Sequence, residues 1–216
     1  LIPAELIGFG ERWENGRCVI EAVGRITQAQ AYAENLVLTR TYRAELGQSW
    51  FEMEDVVENC GYMPTTHMLL YHINVGYPFL DEGAELRAPV DGPPKLLFGT
   101  ADLTDSRSWA GFIAPQRNWV QQTFQHAMRP GPDGLVTVQL VNPRLFGGTS
   151  LKVSYSHDTL PEYIEWRMMG EGQYALGIEP CTNGFGRAEV EADNKLIVLQ
   201  PGEKRRYYLK VEVAAS

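Results

Sequence analysis

Hydrophobic and polar residues alternate along most of this chain in short runs, and the runs end at Gly, Pro, Asn or Asp. Alternation is typical of strands, because successive side chains of a strand point to opposite faces. Segments with the spacing of an amphipathic helix are scarce. The pattern predicts strands at residues 17–27, 36–46, 50–58, 67–75, 120–128, 135–141, 151–156, 163–169, 174–179, 196–199 and 206–213.

So many strands without helices between them predict an all-β protein, in which antiparallel sheets pack face to face. The length of 216 residues and the hydrophobic content of 44% suit one large domain with a sizeable core. We therefore expect a large antiparallel β-sandwich, in a single domain over residues 1–216. The pair Gly147-Gly148 predicts a hairpin turn, and residues 77–108, which contain several Pro and Gly, are expected to form an irregular loop that is functional or mobile.

The charge of the chain excludes two classes of partner. Nineteen Lys and Arg stand against 27 Asp and Glu, which gives a net charge of -8. Such a surface repels phosphate backbones and anionic lipids, so we expect no nucleic-acid partner and no membrane partner. A small neutral or cationic substrate stays open.

The three cysteines, Cys18, Cys60 and Cys181, are widely spaced and form no CxxC pair. We therefore expect neither a disulfide nor a structural zinc site. The first residues do not have the pattern of a signal peptide, and no apolar run approaches the roughly 20 residues needed to cross a bilayer. We expect a cytoplasmic protein whose chain begins upstream of Leu1, because no Met starts the sequence.

Residues 61–78 carry polar side chains at the end of an apolar strand. His72 and Asn74 share one face of that predicted strand, which ends at Gly76, and a sandwich can open a cleft at such a place. The competing interpretation is a core histidine with a hydrogen-bond partner, since buried polar groups are normally satisfied. For a single histidine in a strand, that interpretation is the more common one.

A second candidate lies at the end of the predicted strand at residues 174–179. Ala175, Gly177 and Glu179 alternate on one face, so small side chains leave space beside the carboxylate. Pro180 lacks a backbone donor and is expected to end the strand. A carboxylate beside an open volume is a candidate general base. Taken alone, Glu179 would be interpreted as a surface carboxylate.

At these two segments the chain resembles the aldose 1-epimerases of the galactose mutarotase-like superfamily. The run Tyr-Ala-Leu-Gly-Ile-Glu-Pro, ending at Pro180, is similar to the stretch that carries the catalytic glutamate of that family. The run Leu-Tyr-His-Ile-Asn, ending at Asn74, is similar to the strand that carries its catalytic histidine, and Leu-Gln-Pro-Gly-Glu at 199–203 resembles the turn before its last strand. Longer matches over residues 59–78 and 165–180 resemble a bacterial branch of unknown function most.

The resemblance implies a mutarotase fold and an isomerase activity with general acid/base catalysis. Glu179 would remove the proton of the anomeric hydroxyl, and His72 would protonate the ring oxygen. The ordinary pKa of a glutamate, about 4.3, would keep the carboxylate ionised at neutral pH. A carboxylate nearby would favour the charged imidazole, whose ordinary pKa is about 6.5. No cofactor and no metal are implied.

Four residues are the candidates for binding a sugar substrate. Amides and imidazoles can hydrogen-bond hydroxyls, so Asn74, Asn183 and His126 are the candidates for binding the hydroxyls. An aromatic ring can stack on a sugar ring, so Trp166 is the candidate platform. Trp166 is as well explained as a core residue, because aromatic side chains dominate cores. His126 shares a face with Gln122 and Phe124, which favours a place on the sheet over a role in binding.

The chain departs from the family pattern in two places. Family members carry a further region of sheet that ends in a Leu-His-Gly-Arg-like motif before Pro-Ala, and here Pro3-Ala4 stands near the start. The chain would thus be the C-terminal two-thirds of the sandwich. We expect an upstream segment or a partner chain to complete it, and a homo-oligomer stays open. The branch often has Glu at the position of Gln121, which leaves the role of that position open.

Three functions therefore compete. The first is a mutarotase that uses His72 and Glu179. The second is different isomerase or lyase chemistry on a modified sugar, since fold does not determine function. A metal held by His67, His72 and Glu179 would belong to it, but a regular strand places the two histidines on opposite faces. The third is a non-catalytic carbohydrate-binding module, which needs aromatic platforms but no acid and base facing one another.

Overall fold

The computed structural model of the protein describes residues 2–215, which form strands joined by two short helices and a 3-10 turn at Leu145–Gly147. The first strands are β1 (Ala4–Glu14), β2 (Arg17–Ala29), β3 (Asn35–Glu45), β4 (Trp50–Asn59), β5 (Thr65–His67), β6 (Ile73–Gly76), β7 (Glu85–Arg87) and β8 (Lys95–Phe98). The others are β9 (Gln122–His126), β10 (Leu135–Asn142), β11 (Thr149–Ser156), β12 (Glu162–Gly170), β13 (Gln173–Cys181), β14 (Ile197–Leu199) and β15 (Lys204–Ala215). The helices are α1 (Arg107–Ala110) and α2 (Arg187–Ala192).

The strands form two main sheets. Eight strands make the large sheet, in the order β1-β2-β3-β4-β15-β11-β10-β7, and five make the smaller one, in the order β6-β13-β12-β9-β8. Strands β14 and β5 pair separately. Every pair of neighbouring strands is antiparallel. The predicted all-β antiparallel sandwich is thus confirmed.

The core lies between the two sheets. Alternate residues of the large sheet, such as Val153 and Leu209, and alternate residues of the smaller sheet, such as Leu176, are fully buried there. The rings of Tyr155 in β11 and Tyr163 in β12 stack across the gap, with centroids 6.4 Å apart and planes at 10°. Alternation thus gives each sheet one apolar face, and burial of these two faces against each other holds the sandwich together.

Most predicted strands fall inside observed ones, but the predicted strand at 67–75 is wrong. The chain there forms two short strands with different partners: β5 pairs with β14, and β6 pairs with β13. Between them, only Leu70 makes a bridge, to Cys181. The apolar run was continuous, so periodicity alone could not show that the chain changes from one sheet to another.

Two other expectations are corrected. Residues 77–108 are not irregular throughout, because they include β7 and β8, one at an edge of each main sheet. Pro180 does not end its strand, because it still pairs with Tyr163 and its carbonyl accepts a hydrogen bond from the N–H of Tyr71 over 3.1 Å. The Gly147-Gly148 turn does join a hairpin, formed by β10 and β11.

Cys18, Cys60 and Cys181 all have free thiols. Neither of the helices within residues 2–215 has the length and apolar character needed to span a bilayer.

Candidate functional site

The candidate site lies on the face of the five-stranded sheet that is turned away from the large sheet, which we call the outer face. The strand register shows which side chains share it. Asn74 of β6 pairs with Gly177 of β13, and Gly177 pairs with Trp166 of β12. One step along the strands, Glu179 pairs with Ile164. Because directly opposed residues project to the same side of a sheet, these residues come together on the outer face.

His72 reaches the outer face because the segment before β6 is hydrogen-bonded to the end of β13 and the residue after it. The N–H of Tyr71 donates to the carbonyl of Pro180 over 3.1 Å. The N–H of Leu69 donates to the hydroxyl of Thr182, and the N–H of Thr182 donates to the carbonyl of Leu69, each over 2.9 Å. These three bonds hold the segment alongside β13. Thr182 was not singled out in the sequence, where nothing marked its hydroxyl as part of this connection.

His72 and Glu179 are in direct contact. Nε2 of His72 lies 3.0 Å from Oε1 of Glu179. The His72 side chain is 45% exposed and the Glu179 side chain 6%, so a solvent-facing imidazole covers a nearly buried carboxylate. Within residues 2–215, Oε1 has no partner in hydrogen-bond geometry, so the two groups are close but not aligned for a strong hydrogen bond. They are placed to exchange protons with a group bound over them.

Gly177 makes this contact possible. A Cβ atom at Gly177 would overlap Oε1 of Glu179 and would lie 3.1 Å from both Cε1 of His72 and Cβ of Trp166. The three side chains therefore converge over the one residue of the strand that has no side chain of its own. The sequence indicated small neighbours beside Glu179. It did not show that the carboxylate folds back over Gly177.

Burial raises the pKa of Glu179 to about 7. The cause is desolvation, which penalises the charged form of a carboxyl group. The ordinary pKa of about 4.3 predicted an ionised carboxylate at neutral pH, and the structure corrects this: near pH 7 the group is divided between its two forms. A general base is most effective when its pKa lies near the working pH, so the raised value suits proton transfer.

Trp166 stands next to His72 and Glu179, which we call the acid/base pair. Gln121 sets the orientation of the Trp166 ring. The indole Nε1–H donates to Oε1 of Gln121 over 2.9 Å. The rings of Trp166 and His72 meet edge to face, with centroids 5.7 Å apart. Trp166 is half-buried, so one part of the ring supports the site and another part is open to a ligand. The role of Gln121, open from the sequence, is that of the hydrogen-bond acceptor for this ring.

The other two candidates for hydroxyl binding on this side of the sheet have different surroundings. Asn74 is exposed on the outer face, beside Gly177. Asn183 follows β13, and its amide is engaged within the loop: Nδ2 donates to the carbonyl of Lys195, and Oδ1 accepts from the hydroxyl of Thr182, each over 2.8 Å. Asn74 is therefore next to the acid/base pair, and Asn183 is set apart from it.

His126 is not brought to the site. It lies on the inner face of the sheet, opposite Tyr163, and its Nε2 is 2.9 Å from Oε2 of Glu165. The two side chains are 1% and 0% exposed. The sheet itself separates this pair from the outer face, so the expectation that His126 binds substrate beside His72 and Glu179 is corrected.

A buried cation, Arg167, lies beside this pair on the inner face, and the sequence-based expectations did not include it. Nε of Arg167 lies 3.7 Å from Oε1 of Glu165. Its terminal nitrogens donate to the carbonyls of Ser108 and Gly111, the latter over 2.5 Å. Arg167 thus fastens the segment around α1 to the sheet. The spacing in the sequence could have indicated this role. Tyr163, Glu165 and Arg167 stand at every second position and therefore share one face of β12.

The metal site considered among the alternatives does not form. His67 is buried in β5, and its Nε2 lies 2.7 Å from the hydroxyl of Tyr207. Burial lowers the pKa of His67 to about 4. Across residues 2–215, no group of three His, Cys, Asp or Glu side chains is placed to hold a metal ion.

A cleft of about 500 Å³ reaches His72 along the free edge of β6. His72, Asn74 and Tyr77 line it on one side, and Arg40 lines it on the other. Two nitrogens of Arg40 donate to the two carboxylate oxygens of Asp55, over 2.8 and 2.6 Å. This cleft gives a ligand access to His72 from the sheet edge.

Comparison with other proteins places the chain in a family and a fold. The family described as "Domain of unknown function (DUF4432)" matches residues 1–213. No functionally curated protein matches the sequence.

Solved structures share the fold. A candidate aldose 1-epimerase from Klebsiella pneumoniae superimposes with a TM-score of 0.83 at 21% identity, over 92% of this chain and 52% of that one. A galactose mutarotase-like protein from Clostridium acetobutylicum has a TM-score of 0.61 at 16% identity, over 96% of this chain and 65% of its own. A galactose 1-epimerase from Lactobacillus acidophilus has a TM-score of 0.59 at 13% identity, over 96% and 66%. The chain spans about half the length of the first of these structures. Its fold is that of the galactose mutarotase-like proteins.

Proposed function

Because the chain belongs to the family described as "Domain of unknown function (DUF4432)", which carries no assigned activity, we propose its function from the site: it is an aldose 1-epimerase-like isomerase that interconverts the anomers of a sugar. The observation that carries the proposal is the convergence of His72, Glu179 and Trp166 over Gly177. An acid, a base and an aromatic surface meet there, and one carboxylate has a pKa raised to about 7.

The proposed reaction needs one proton removed and one supplied. The Glu179 carboxylate takes the proton of the anomeric hydroxyl, and the imidazolium of His72 gives a proton to the ring oxygen. The bond between C1 and the ring oxygen breaks, and C1 becomes the carbonyl carbon of the open-chain aldehyde. Rotation about C1–C2 presents the other carbonyl face. The C5 hydroxyl then attacks C1 while both protons return, which gives the other anomer and restores the enzyme.

The direct contact of His72 with Glu179 affects how a sugar binds. A sugar ring does not fit between two atoms 3.0 Å apart, so the ring cannot lie between His72 and Glu179 as they stand. His72 is half-exposed, so its side chain is free to rotate outward as the ring enters. The ring then lies over Gly177, with Glu179 below it and the imidazole at its edge.

Two side chains suit the binding of the ring in that position. Trp166 offers a ring face whose orientation is set by its bond to Gln121, and Asn74 offers a donor and an acceptor for hydroxyls. A pure binding module would need such groups as well. A binding module would not need a desolvated carboxylate next to an imidazole. Because such a carboxylate lowers stability at neutral pH, its presence favours catalysis over binding alone.

The test follows relaxation between anomers. A freshly dissolved single anomer of glucose, or of galactose, is mixed with the full chain, and the approach to equilibrium is followed by polarimetry or NMR. We expect acceleration over the buffer rate. The variants Glu179→Gln and His72→Asn should each reduce it by about 10²- to 10⁴-fold, which is the usual contribution of one general acid or base.

Matched variants away from the site separate this effect from damage to the fold. Glu171→Gln changes an exposed carboxylate in the turn after β12, and His157→Asn changes a histidine in the turn after β11. Both should keep the full rate. If a folded protein accelerates no aldose in a broad panel, or if Glu179→Gln retains the full rate, the proposal is wrong.

A further inference from the structure

A second polar cavity lies near the acid/base pair and has no part in the proposed chemistry. Its volume is about 440 Å³. The loop after β13 and α2 form one wall, and the ends of β8, β9 and β12 form the other. Its lining includes the side chains of Lys95, Gln125, Glu162, Asn183, Phe185 and Lys195.

The register of the smaller sheet puts this cavity on the outer face, in line with Glu179. Glu179 pairs with Ile164, Ile164 pairs with Gln125, and Gln125 pairs with Lys95, so the four residues form one row across four strands. Neighbouring strands are about 4.8 Å apart, which puts Gln125 about 10 Å from Glu179. A sugar of two linked rings spans such a distance.

The chemistry of the lining suits a hydroxylated ring. Phe185 is 65% exposed at the cavity, so its ring is available to stack against a ligand. Nε2 of Gln125 donates to Oε2 of Glu162 over 2.8 Å, which leaves Oε1 of Gln125 and Oε1 of Glu162 to accept from hydroxyls. An aromatic face flanked by planar polar groups is an arrangement that holds the apolar face and the rim hydroxyls of a sugar.

The charges of the cavity select against an anionic ligand. The carboxylates of Glu162, Glu189 and Asp193 outnumber the ammonium groups of Lys95 and Lys195. Asp193 also holds Lys195 directly, with Oδ2 and Nζ 3.0 Å apart. A phosphate or carboxylate group would therefore meet repulsion here, whereas a neutral polyol would not.

From this arrangement we infer that the cavity is a second sugar subsite, and that the substrate is a neutral reducing disaccharide or a longer reducing glycan. Its reducing-end ring lies over Gly177 at the acid/base pair, and its next ring stacks on Phe185 and is hydrogen-bonded by Gln125 and Glu162. The inference rests on the proposed function for the identity of the first ring. The second ring needs no catalysis to bind.

The test therefore measures binding with sugars that cannot mutarotate. Methyl β-glycosides of maltose, cellobiose and lactose are titrated against the full chain by calorimetry, next to methyl β-glucoside and methyl β-galactoside. We expect at least one disaccharide glycoside to bind more tightly than either monosaccharide glycoside. Phe185→Ala should weaken that disaccharide by about two- to tenfold, the usual effect of losing one aromatic contact, and leave the monosaccharides unchanged.

Two further variants make the result specific. Phe185→Trp keeps an aromatic platform and should keep the affinity. Phe146→Ala removes a phenyl ring that is 90% exposed in the turn between β10 and β11, and it should change nothing. Equal binding of all glycosides, no binding of any disaccharide, or no effect of Phe185→Ala would overturn the subsite. If disaccharides bind through Phe185 while no reducing sugar is interconverted, the subsite stands and the proposed function fails.

Discussion

Two histidine–glutamate pairs lie on opposite faces of the same small sheet, and their surroundings differ in every respect that matters for chemistry. The inner pair, His126 and Glu165, is fully buried at 2.9 Å and has the cation of Arg167 beside it. The outer pair, His72 and Glu179, is at 3.0 Å, half open to solvent and not aligned for a hydrogen bond.

The comparison shows that residue type and distance do not identify an active site. In the inner pair the aromatic rings of Trp109 and Tyr163 pack against His126, with centroids 5.1 and 5.6 Å from its ring, and both members of the pair are closed to solvent. In the outer pair, Gly177 has no side chain, which leaves room for the Glu179 carboxylate beneath the half-exposed imidazole of His72. We expect the inner pair to hold the fold and the outer pair to act on a substrate.

The largest effect should come from removing the anion of the inner pair. Glu165→Gln leaves the buried guanidinium of Arg167 without a counter-charge, and loss of one partner from a buried ionic group usually costs about 3–5 kcal/mol. The free energy of unfolding, measured in urea, should fall by that amount. Glu171→Gln, an exposed surface change, should stay within about 0.5 kcal/mol. A loss below 1 kcal/mol for Glu165→Gln would contradict a structural role for the inner pair.

Gly177→Ala should disturb the outer pair without touching the inner one. The added Cβ overlaps the Glu179 carboxylate, so the carboxylate must move. Overpacking of this kind costs about 1–3 kcal/mol, and the displaced base should lower the rate of anomer interconversion by about 10- to 100-fold. Gly10→Ala in β1 is the matched control, because its Cβ meets nothing within 4 Å. Full activity in Gly177→Ala would show that the convergence over this residue is not needed.

The pH dependence of stability should distinguish the buried carboxylate of Glu179 from an exposed carboxylate. The pKa of Glu179 is raised to about 7 in the folded protein. Between about pH 4.3 and pH 7 the folded protein therefore keeps a proton on Glu179 that the unfolded chain has released. The stability that Glu179 contributes is thus present below pH 4.3 and is lost as pH rises through about 7. Glu179→Gln removes this loss, so relative to the wild-type protein it should gain about 1–3 kcal/mol between pH 5 and pH 8.

Urea unfolding of both proteins at a series of pH values measures this gain. The exposed-carboxylate variant Glu171→Gln is measured in the same series as the control. A difference between Glu179→Gln and wild type that stays constant with pH would mean that burial does not shift the titration of the Glu179 carboxyl group.

The smallest effect should come from removing the hydrogen bond that supports Trp166. Gln121→Leu removes the acceptor of the indole N–H, and a lost hydrogen bond of this kind costs about 0.5–1.5 kcal/mol. The free energy of unfolding should fall by that amount, and the KM for a sugar should rise by a few fold because the ring is less well held. Gln121→Glu keeps an acceptor and should restore both values. If Gln121→Leu leaves the KM unchanged, Trp166 is not a platform for the substrate.

The fold was predictable because its signal is local. Alternation along β4, β10 and β11 reflects one buried and one more exposed face, and each strand shows it without reference to its neighbours. The strand β1 was missed although Asn15 and Gly16, both with positive φ, form the kind of two-residue turn that marks a hairpin. The short strands β7 and β8 were missed because three or four residues are too few to show a period.

By itself, the sequence determined that the protein is an antiparallel sandwich, that His72 and Glu179 are the residues to examine, and that small residues adjoin the carboxylate. Only the tertiary structure decided that His126 belongs to the opposite face, that Gln121 holds Trp166, and that Gln125 lies in one row with Glu179. The reason is physical: alternation determines the faces of one strand, whereas register, which matches strands far apart in sequence, determines which residues meet across a sheet.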